Sequence, residues 1–163
     1  MIVSLIQKAD NEITLIDGYV DVGTLNLLSK KKSDVAATIY TQKHTKLTKT
    51  DVRNFNAQYP TLKIKYTKAF HDRFLILDQT TAYHVGASLK DAGKKCFGIN
   101  LIEDAGIIED ILQRLELLNA LTGDIRFEDA YRSLKGDENL KRITKDDEYR
   151  RKLCRELLVS DDK

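Results

Sequence analysis

The chain has 163 residues, of which 42% are apolar and 32% are charged, with eight glycines and one proline. This length is typical of one domain with a small extension, and this composition excludes a disordered chain, a collagen-like repeat and a membrane span. Cys96 and Cys154 are far apart and lack metal-ligand spacing, so we expect neither a disulfide scaffold nor a bound metal. The first ten residues lack the apolar run of a signal peptide, and we expect a cytoplasmic protein with reduced thiols.

The charge is unevenly distributed along the chain. Residues 1–103 carry a net charge of +5, whereas residues 104–163 carry −3. Between Lys43 and Arg73 there are eight basic residues against only Asp51 and Asp72. A basic stretch of this kind favours a polyanionic ligand, and a solvated surface is the alternative explanation.

The first two thirds of the chain predict strands that alternate with short helices. Asp21 is the expected N-cap of a first helix, and Thr50 is the expected N-cap of a second helix that Pro60 ends. Short β-branched and apolar runs predict strands at residues 12–16, 35–40, 62–66, 73–77, 82–85 and 96–102. This order predicts an α/β fold, a mixed sheet flanked by helices.

The last third of the chain has a helical period. Apolar residues from Ile107 to Leu118 form one stripe behind Asp104, which is the expected cap. Residues 127–134 and 149–157 predict two further helices, and the charged segment between them, residues 136–147, is a predicted linker. We therefore expect an α/β domain at residues 1–122 and a helical extension at residues 123–163 that docks on the domain or recruits a protein partner.

The residues most suited to chemistry surround the predicted strand at 73–77. His71 and Arg73 are two positions apart, and on a strand such side chains face the same side. They would serve as a nucleophile and a phosphate clamp. Asp78 ends the strand, and the sequence Gly86-Ala87-Ser88 follows one hairpin later, where a backbone can approach an anion closely.

With these residues, the stretch from 12 to 103 resembles the phospholipase D-like superfamily. Its signature is H-x-K-x4-D, followed by Gly-Ser and Asn, on the same order of strands and helices. The resemblance is to the small branch with one motif per chain, which includes bacterial nucleases and the nuclease domains of some restriction enzymes. It implies a homodimer in which two copies of the motif form one active site.

The resemblance also implies a metal-independent and cofactor-free phosphodiesterase, with DNA or RNA as its substrate. His71 would form a covalent phosphohistidine, and the same residue of the partner subunit would protonate the leaving oxygen. Arg73 matches the family lysine that neutralises the phosphoryl oxygens. Asp78 matches the family aspartate in a supporting role, and Glu103 has the position of a glutamate that hydrogen-bonds the histidine.

The resemblance extends to a substrate-binding segment, where the sequence departs from the family pattern. Ser88, or the backbone amides beside it, matches the Gly-Ser phosphate contact, but Ala87 separates it from Gly86. No asparagine follows, so its phosphate contact is either lost or replaced by Lys90. Together with arginine in place of lysine at position 73, these departures leave open a catalytically weak or inactive module that binds nucleic acid or has a regulatory role.

Plainer roles remain open for individual residues. His71 would then be an ordinary surface residue, His84 a packing residue between strands, and His44 an exposed loop residue. Asp17 ends the first strand and is either a turn former or the border of a ligand crevice. Cys96, in a predicted strand, is expected in the core.

Overall fold

The computed structural model describes residues 1–122. This part of the chain contains six strands and four helices. The strands are β1 (Glu12–Ile16), β2 (Ala36–Thr41), β3 (Leu62–Tyr66), β4 (Phe74–Leu77), β5 (Thr81–Val85) and β6 (Ile99–Ile102). The helices are α1 (Ile2–Ile6), α2 (Val22–Leu28), α3 (Lys49–Gln58) and α4 (Ala105–Thr122), and a 3₁₀ turn spans Leu89–Asp91. Within these residues, no helix has both the length and the apolar character needed to span a membrane.

The six described strands form one mixed sheet in the order β3-β2-β1-β4-β5-β6. β1, β2 and β3 are parallel, whereas β4, β5 and β6 each run antiparallel to the strand before them in this order. The ends of β1, β2, β3 and β5 therefore share one edge with the starts of β4 and β6. We call this edge the carboxyl edge, and the opposite one the amino edge.

The main apolar core lies against one face of the sheet. Alternate residues of β1 and β4, such as Leu15 and Leu75, belong to it because strand side chains alternate between faces. The first three helices close this face with buried side chains, among them Ile6, Leu28 and Phe55. The fold of residues 1–103 is thus a mixed sheet with helices packed on it, and the predicted α/β class is confirmed.

Most predicted elements are present, with two local corrections. The N-cap of α3 is Thr48 and not Thr50, because Thr48 and Asp51 exchange hydrogen bonds in a capping box. Cys96 is exposed and precedes β6, so its prediction as a buried strand residue is wrong. By contrast, the side chain of Asp21 caps α2 as predicted.

The chain divides into two compact units, residues 1–103 and 104–163. In the second unit the side chain of Asp104 accepts the Gly106 amide at 2.8 Å, which is the predicted cap of α4. The stripe on α4 includes the buried residues Ile111, Leu115 and Leu118. The two further predicted helices and their linker, at residues 127–157, lie outside the described residues.

A tight turn joins β4 to β5 at the amino edge. Asp78 and Gln79 both have left-handed backbones, with φ of 52° and 56°, and the Thr80 amide donates to the Leu77 carbonyl at 3.1 Å. Two such residues in succession are typical of a type I′ turn, whose twist matches that of the paired strands. Aspartate tolerates this left-handed conformation, whereas glutamine adopts it less readily.

We expect Gln79→Gly to raise the free energy of unfolding by about 0.5–1 kcal/mol, since glycine adopts positive φ without steric cost. The Gln79 side chain also donates to Glu12, but this contact is exposed and contributes little. Urea denaturation at neutral pH measures the difference. The control is Gln58→Gly at the end of α3, where glycine should destabilise. A Gln79→Gly variant no more stable than the natural chain would contradict the argument.

Candidate active site

A fully buried carboxylate, that of Asp17, lies at the end of β1 on the carboxyl edge. Its Oδ2 accepts the Ser88 hydroxyl at 2.7 Å and the Leu89 amide at 2.9 Å, and its Oδ1 accepts the Tyr19 amide at 3.0 Å. Burial of an unpaired carboxylate costs several kcal/mol, which these charge-assisted hydrogen bonds offset. Asp17 thus joins the end of β1 to the segment after β5.

Arg73 is the cation beside this carboxylate. Because Phe74 pairs with Ile16 in antiparallel register, the next residues outward, Arg73 and Asp17, lie side by side. Arg73 Nε is 3.6 Å from Asp17 Oδ1, within ion-pair range but too far for a hydrogen bond. Nε is buried and has no hydrogen-bond partner among the described residues. The ion pair therefore orients the guanidinium, while its Nε–H group has no acceptor in the part of the chain that the structure describes.

An exposed aromatic ring, Tyr19, lies between the cations of the site. Its backbone is held at both ends, because its amide donates to Asp17 and its carbonyl accepts the Ser88 hydroxyl at 3.0 Å. Tyr19 is 54% exposed. Arg73 Cζ lies 5.8 Å from the ring centre and Lys90 Nζ lies 5.9 Å from it, both within cation–π range. Two positive charges thus converge on one exposed tyrosine.

His71 is exposed and precedes β4, two residues before Arg73. It lies at a bend and not on the strand, so strand alternation does not fix its side chain on the face of Arg73. The neighbouring His84 belongs to the opposite face, where it meets the Phe74 ring edge-on and lies 3.9 Å from Asp72. His71 is therefore the histidine next to Arg73 in the chain, in an accessible position.

The predicted substrate-binding residues, Gly86, Ser88 and Lys90, lie at the same edge, but they differ in which groups are available to a ligand. The Gly86 amide donates to the Gly98 carbonyl at 2.9 Å, so this amide is used within the sheet. The Ser88 hydroxyl is buried and directed at Asp17 and the Tyr19 carbonyl. Lys90 is the member whose charge lies beside the exposed ring. Ser88 thus positions Asp17, while Lys90 supplies charge.

Asp78 and Glu103, by contrast, lie at the amino edge. Asp78 follows the last residue of β4, and Glu103 follows the last residue of β6, both at strand ends opposite to Arg73. Five residues of extended chain separate Arg73 from Asp78, about 16 Å. Within one chain, the structure therefore brings neither carboxylate to the site of Arg73. The predicted bond from Glu103 to His71 is not formed within the chain.

Asp78 instead organises the entry to β1. Its carboxylate accepts the backbone amides of Asp10, Asn11 and Glu12 at 2.7–2.9 Å. These hydrogen bonds, first that of the Asp10 amide, hold the pKa of Asp78 below its ordinary value of 3.8. In this chain the Asp78 carboxylate holds the β4–β5 turn against the segment that leads into β1.

Sequence analysis offers little indication of two members of the site. The simpler explanation of Asp17 is that it forms a turn before Gly18. Only its position at the end of a strand indicates a ligand crevice. Tyr19 carried no signal at all, because its proximity to Arg73 and Lys90 depends on the reversal of β4. Among the described residues, no group of three or more His, Cys, Asp or Glu side chains is arranged to hold a metal ion.

An apolar cleft of about 370 Å³ lies elsewhere, between the first two helices and the segment before β6. Its lining residues are Met1, Ile2, Val3, Leu27, Ala92, Gly93, Lys95, Cys96 and Phe97. None of the predicted site residues belongs to it. The charged groups of the site thus lie on an open edge and not in this cleft.

We expect Asp78→Asn to lower the stability at neutral pH by about 1 kcal/mol, because asparagine fits the left-handed turn but has no charge to receive three amides. The pKa of Asp78 is lower in the folded chain, so its contribution is present above pH 3.8 and is lost as the pH falls through the folded value. Urea denaturation of both proteins at several pH values measures this. A stability difference that stays constant into strong acid would contradict it.

Comparison with known proteins gives no family assignment: no family model matches the chain, and no curated protein does.

Proposed function

We propose that the protein is a metal-independent phosphodiesterase that cleaves nucleic acid through a phosphohistidine, in a site shared by two copies of the chain. One observation carries the proposal: Arg73 and Lys90 converge beside the exposed Tyr19, on an edge where His71 is accessible. A phosphodiester needs cations at its unesterified oxygens and a nucleophile near phosphorus. The order of His71, Arg73 and Asp78 resembles the motif of the phospholipase D-like superfamily, with arginine in place of its lysine.

The environment of Arg73 supports a clamp on phosphate. Asp17 holds the guanidinium from one side, and Asp17 is itself fixed by Ser88 and two backbone amides. A preorganised cation need not reorient when the transition state gathers charge, which is the usual source of electrostatic catalysis. Arginine also binds two phosphoryl oxygens at once, which lysine cannot do.

The chemistry we propose has two steps. In the first, a nitrogen of His71 forms a bond to phosphorus as the ester P–O bond breaks, and the partner's His71, protonated, gives its proton to the leaving oxygen. In the second, water attacks the phosphohistidine and gives a proton to the partner's His71, while the P–N bond breaks. Both imidazoles return to their starting states.

The basic stretch favours a polyanion as the substrate. Lys43 and Lys46 follow β2, and Lys68 follows β3, so these lysines leave the sheet at the carboxyl edge with Arg73. Arrays of cations raise the local concentration of nucleic acid and bind it with a strong dependence on salt.

A second function, binding of nucleic acid without turnover, has its own support. Asp78 and Glu103 lie at the amino edge, so one chain does not assemble the full set of residues that the resemblance implies. Asp17 also offsets part of the charge of Arg73. On this alternative, binding weakens with salt and on Arg73→Ala but is insensitive to His71→Asn.

Replacing His71 separates the two functions. We expect the natural protein to cleave DNA or RNA oligonucleotides in excess EDTA, and His71→Asn to lower the rate at least about a hundredfold because the nucleophile is lost. The control is His84→Asn, which changes a histidine on the other face of the sheet. A phosphoenzyme labile to acid should be trapped at His71. Cleavage that survives in His71→Asn would sink the mechanism.

Mixing the natural chain with His71→Asn tests the shared site. If each site needs a histidine from both subunits, an equal mixture after subunit exchange retains about one quarter of the activity of the same total amount of natural protein. Independent sites retain about one half. The exchange is checked by mass spectrometry of the intact dimers, and a strictly monomeric chain would contradict the proposal.

A further inference from the structure

We infer that the substrate is single-stranded nucleic acid and that an unpaired base stacks on Tyr19. This inference deepens the proposed function and rests on it, since it assigns a ligand to the same carboxyl edge. It adds a binding residue that no part of the phosphodiesterase motif supplies.

Tyr19 has the properties of a stacking platform. Its backbone is fixed through Asp17 and Ser88, while the residue as a whole is 54% exposed. A fixed, exposed aromatic ring loses little conformational freedom when a base packs on it. Two cations, Arg73 and Lys90, lie within 6 Å of its centre, close enough to attract the phosphates of a strand whose base stacks there. Stacking and charge thus meet at one residue.

A second exposed tyrosine extends this surface along the edge. Tyr66 ends β3 and pairs with Thr41 of β2, which lies next to Asp17 across the parallel strands. Tyr66 is 43% exposed. Two strand spacings, about 10 Å, separate Tyr66 from Asp17, which is the length of about three nucleotides of a stacked strand. A strand that crosses the three parallel strands would meet both rings.

The exposed tyrosines discriminate between single and double strands. In a duplex the bases are stacked and paired, so only the phosphates reach a protein surface of this kind. In a single strand each base can rotate outward and stack on an aromatic ring. This stacking contributes measurably to the binding affinity and depends little on the base sequence. The cations alone would bind both forms, and the rings favour the single strand.

Binding is measured by fluorescence anisotropy in EDTA and low salt, on the His71→Asn background to prevent cleavage. The probes are a labelled single strand of about twenty residues with a mixed, non-self-complementary sequence, and the duplex that it forms with its complement. We expect the single strand to bind about ten times more tightly than the duplex, and Tyr19→Ala to weaken single-strand binding about tenfold. Duplex binding should change less than twofold.

Two further variants control for loss of the fold and for a general effect of tyrosine. Tyr19→Phe keeps the ring and should bind like the parent protein. Tyr59→Ala removes another exposed tyrosine, which follows α3 near the amino edge, and should have no effect. Equal affinity for both probes, or equal behaviour of Tyr19→Ala and Tyr59→Ala, would overturn the inference.

Hydrolysis of bis(4-nitrophenyl) phosphate, a small diester without a base to stack, reports on the proposed function separately. If His71-dependent hydrolysis occurs but the single-strand preference is absent, the inference fails and the phosphodiesterase stands. If the preference depends on Tyr19 but neither the small diester nor an oligonucleotide is cleaved, the phosphodiesterase fails and the binding site stands. Absence of both effects would overturn both.

Discussion

The burial of the Asp17 carboxylate is the constraint on which the rest of the site depends. A charge at this depth is tolerated only if its oxygens are surrounded by donors and a cation, since removal of a carboxylate from water is costly. The chain meets this requirement from three separate segments: the loop after β1, the segment after β5 and the residue before β4. The same hydrogen bonds that make the carboxylate tolerable therefore fix the relative positions of Tyr19, Ser88 and Arg73.

The order of strands explains which candidate residues meet. Three parallel strands end at the carboxyl edge, and β4 begins there because it runs in the opposite direction beside β1. Arg73, at the start of β4, thus joins Asp17, while Asp78, at its other end, is carried away from the site. The motif is contiguous in sequence but divided in space by the length of one strand. A site shared by two copies of the chain would therefore have to form at the carboxyl edge, where His71 precedes β4.

The fold was more predictable than the site, for a physical reason. Short β-branched runs, Asp21 as a cap and the helical stripe after Asp104 are local signals, and each acts within a few residues of where it is read. The partnership of Arg73 with Asp17 depends on strand order, which the sequence does not encode locally. The same holds for Tyr19, whose neighbours come from segments 54 and 71 residues further along the chain. Thr48 in place of Thr50 shows the finer limit, since two equivalent hydroxyls compete and only one meets Asp51.

The reversal of β4 has a consequence for how this chain tolerates change. It places the β4–β5 turn, with its two left-handed residues and the Asp78 carboxylate, at one end of the sheet. The cations, the tyrosine and the accessible histidine lie at the other end. The contacts that stabilise the turn and the groups of the candidate site thus lie at opposite ends of the same six strands. A change of sequence at the Asp78–Thr80 turn should therefore alter the stability of the protein while leaving the groups around Tyr19 in place.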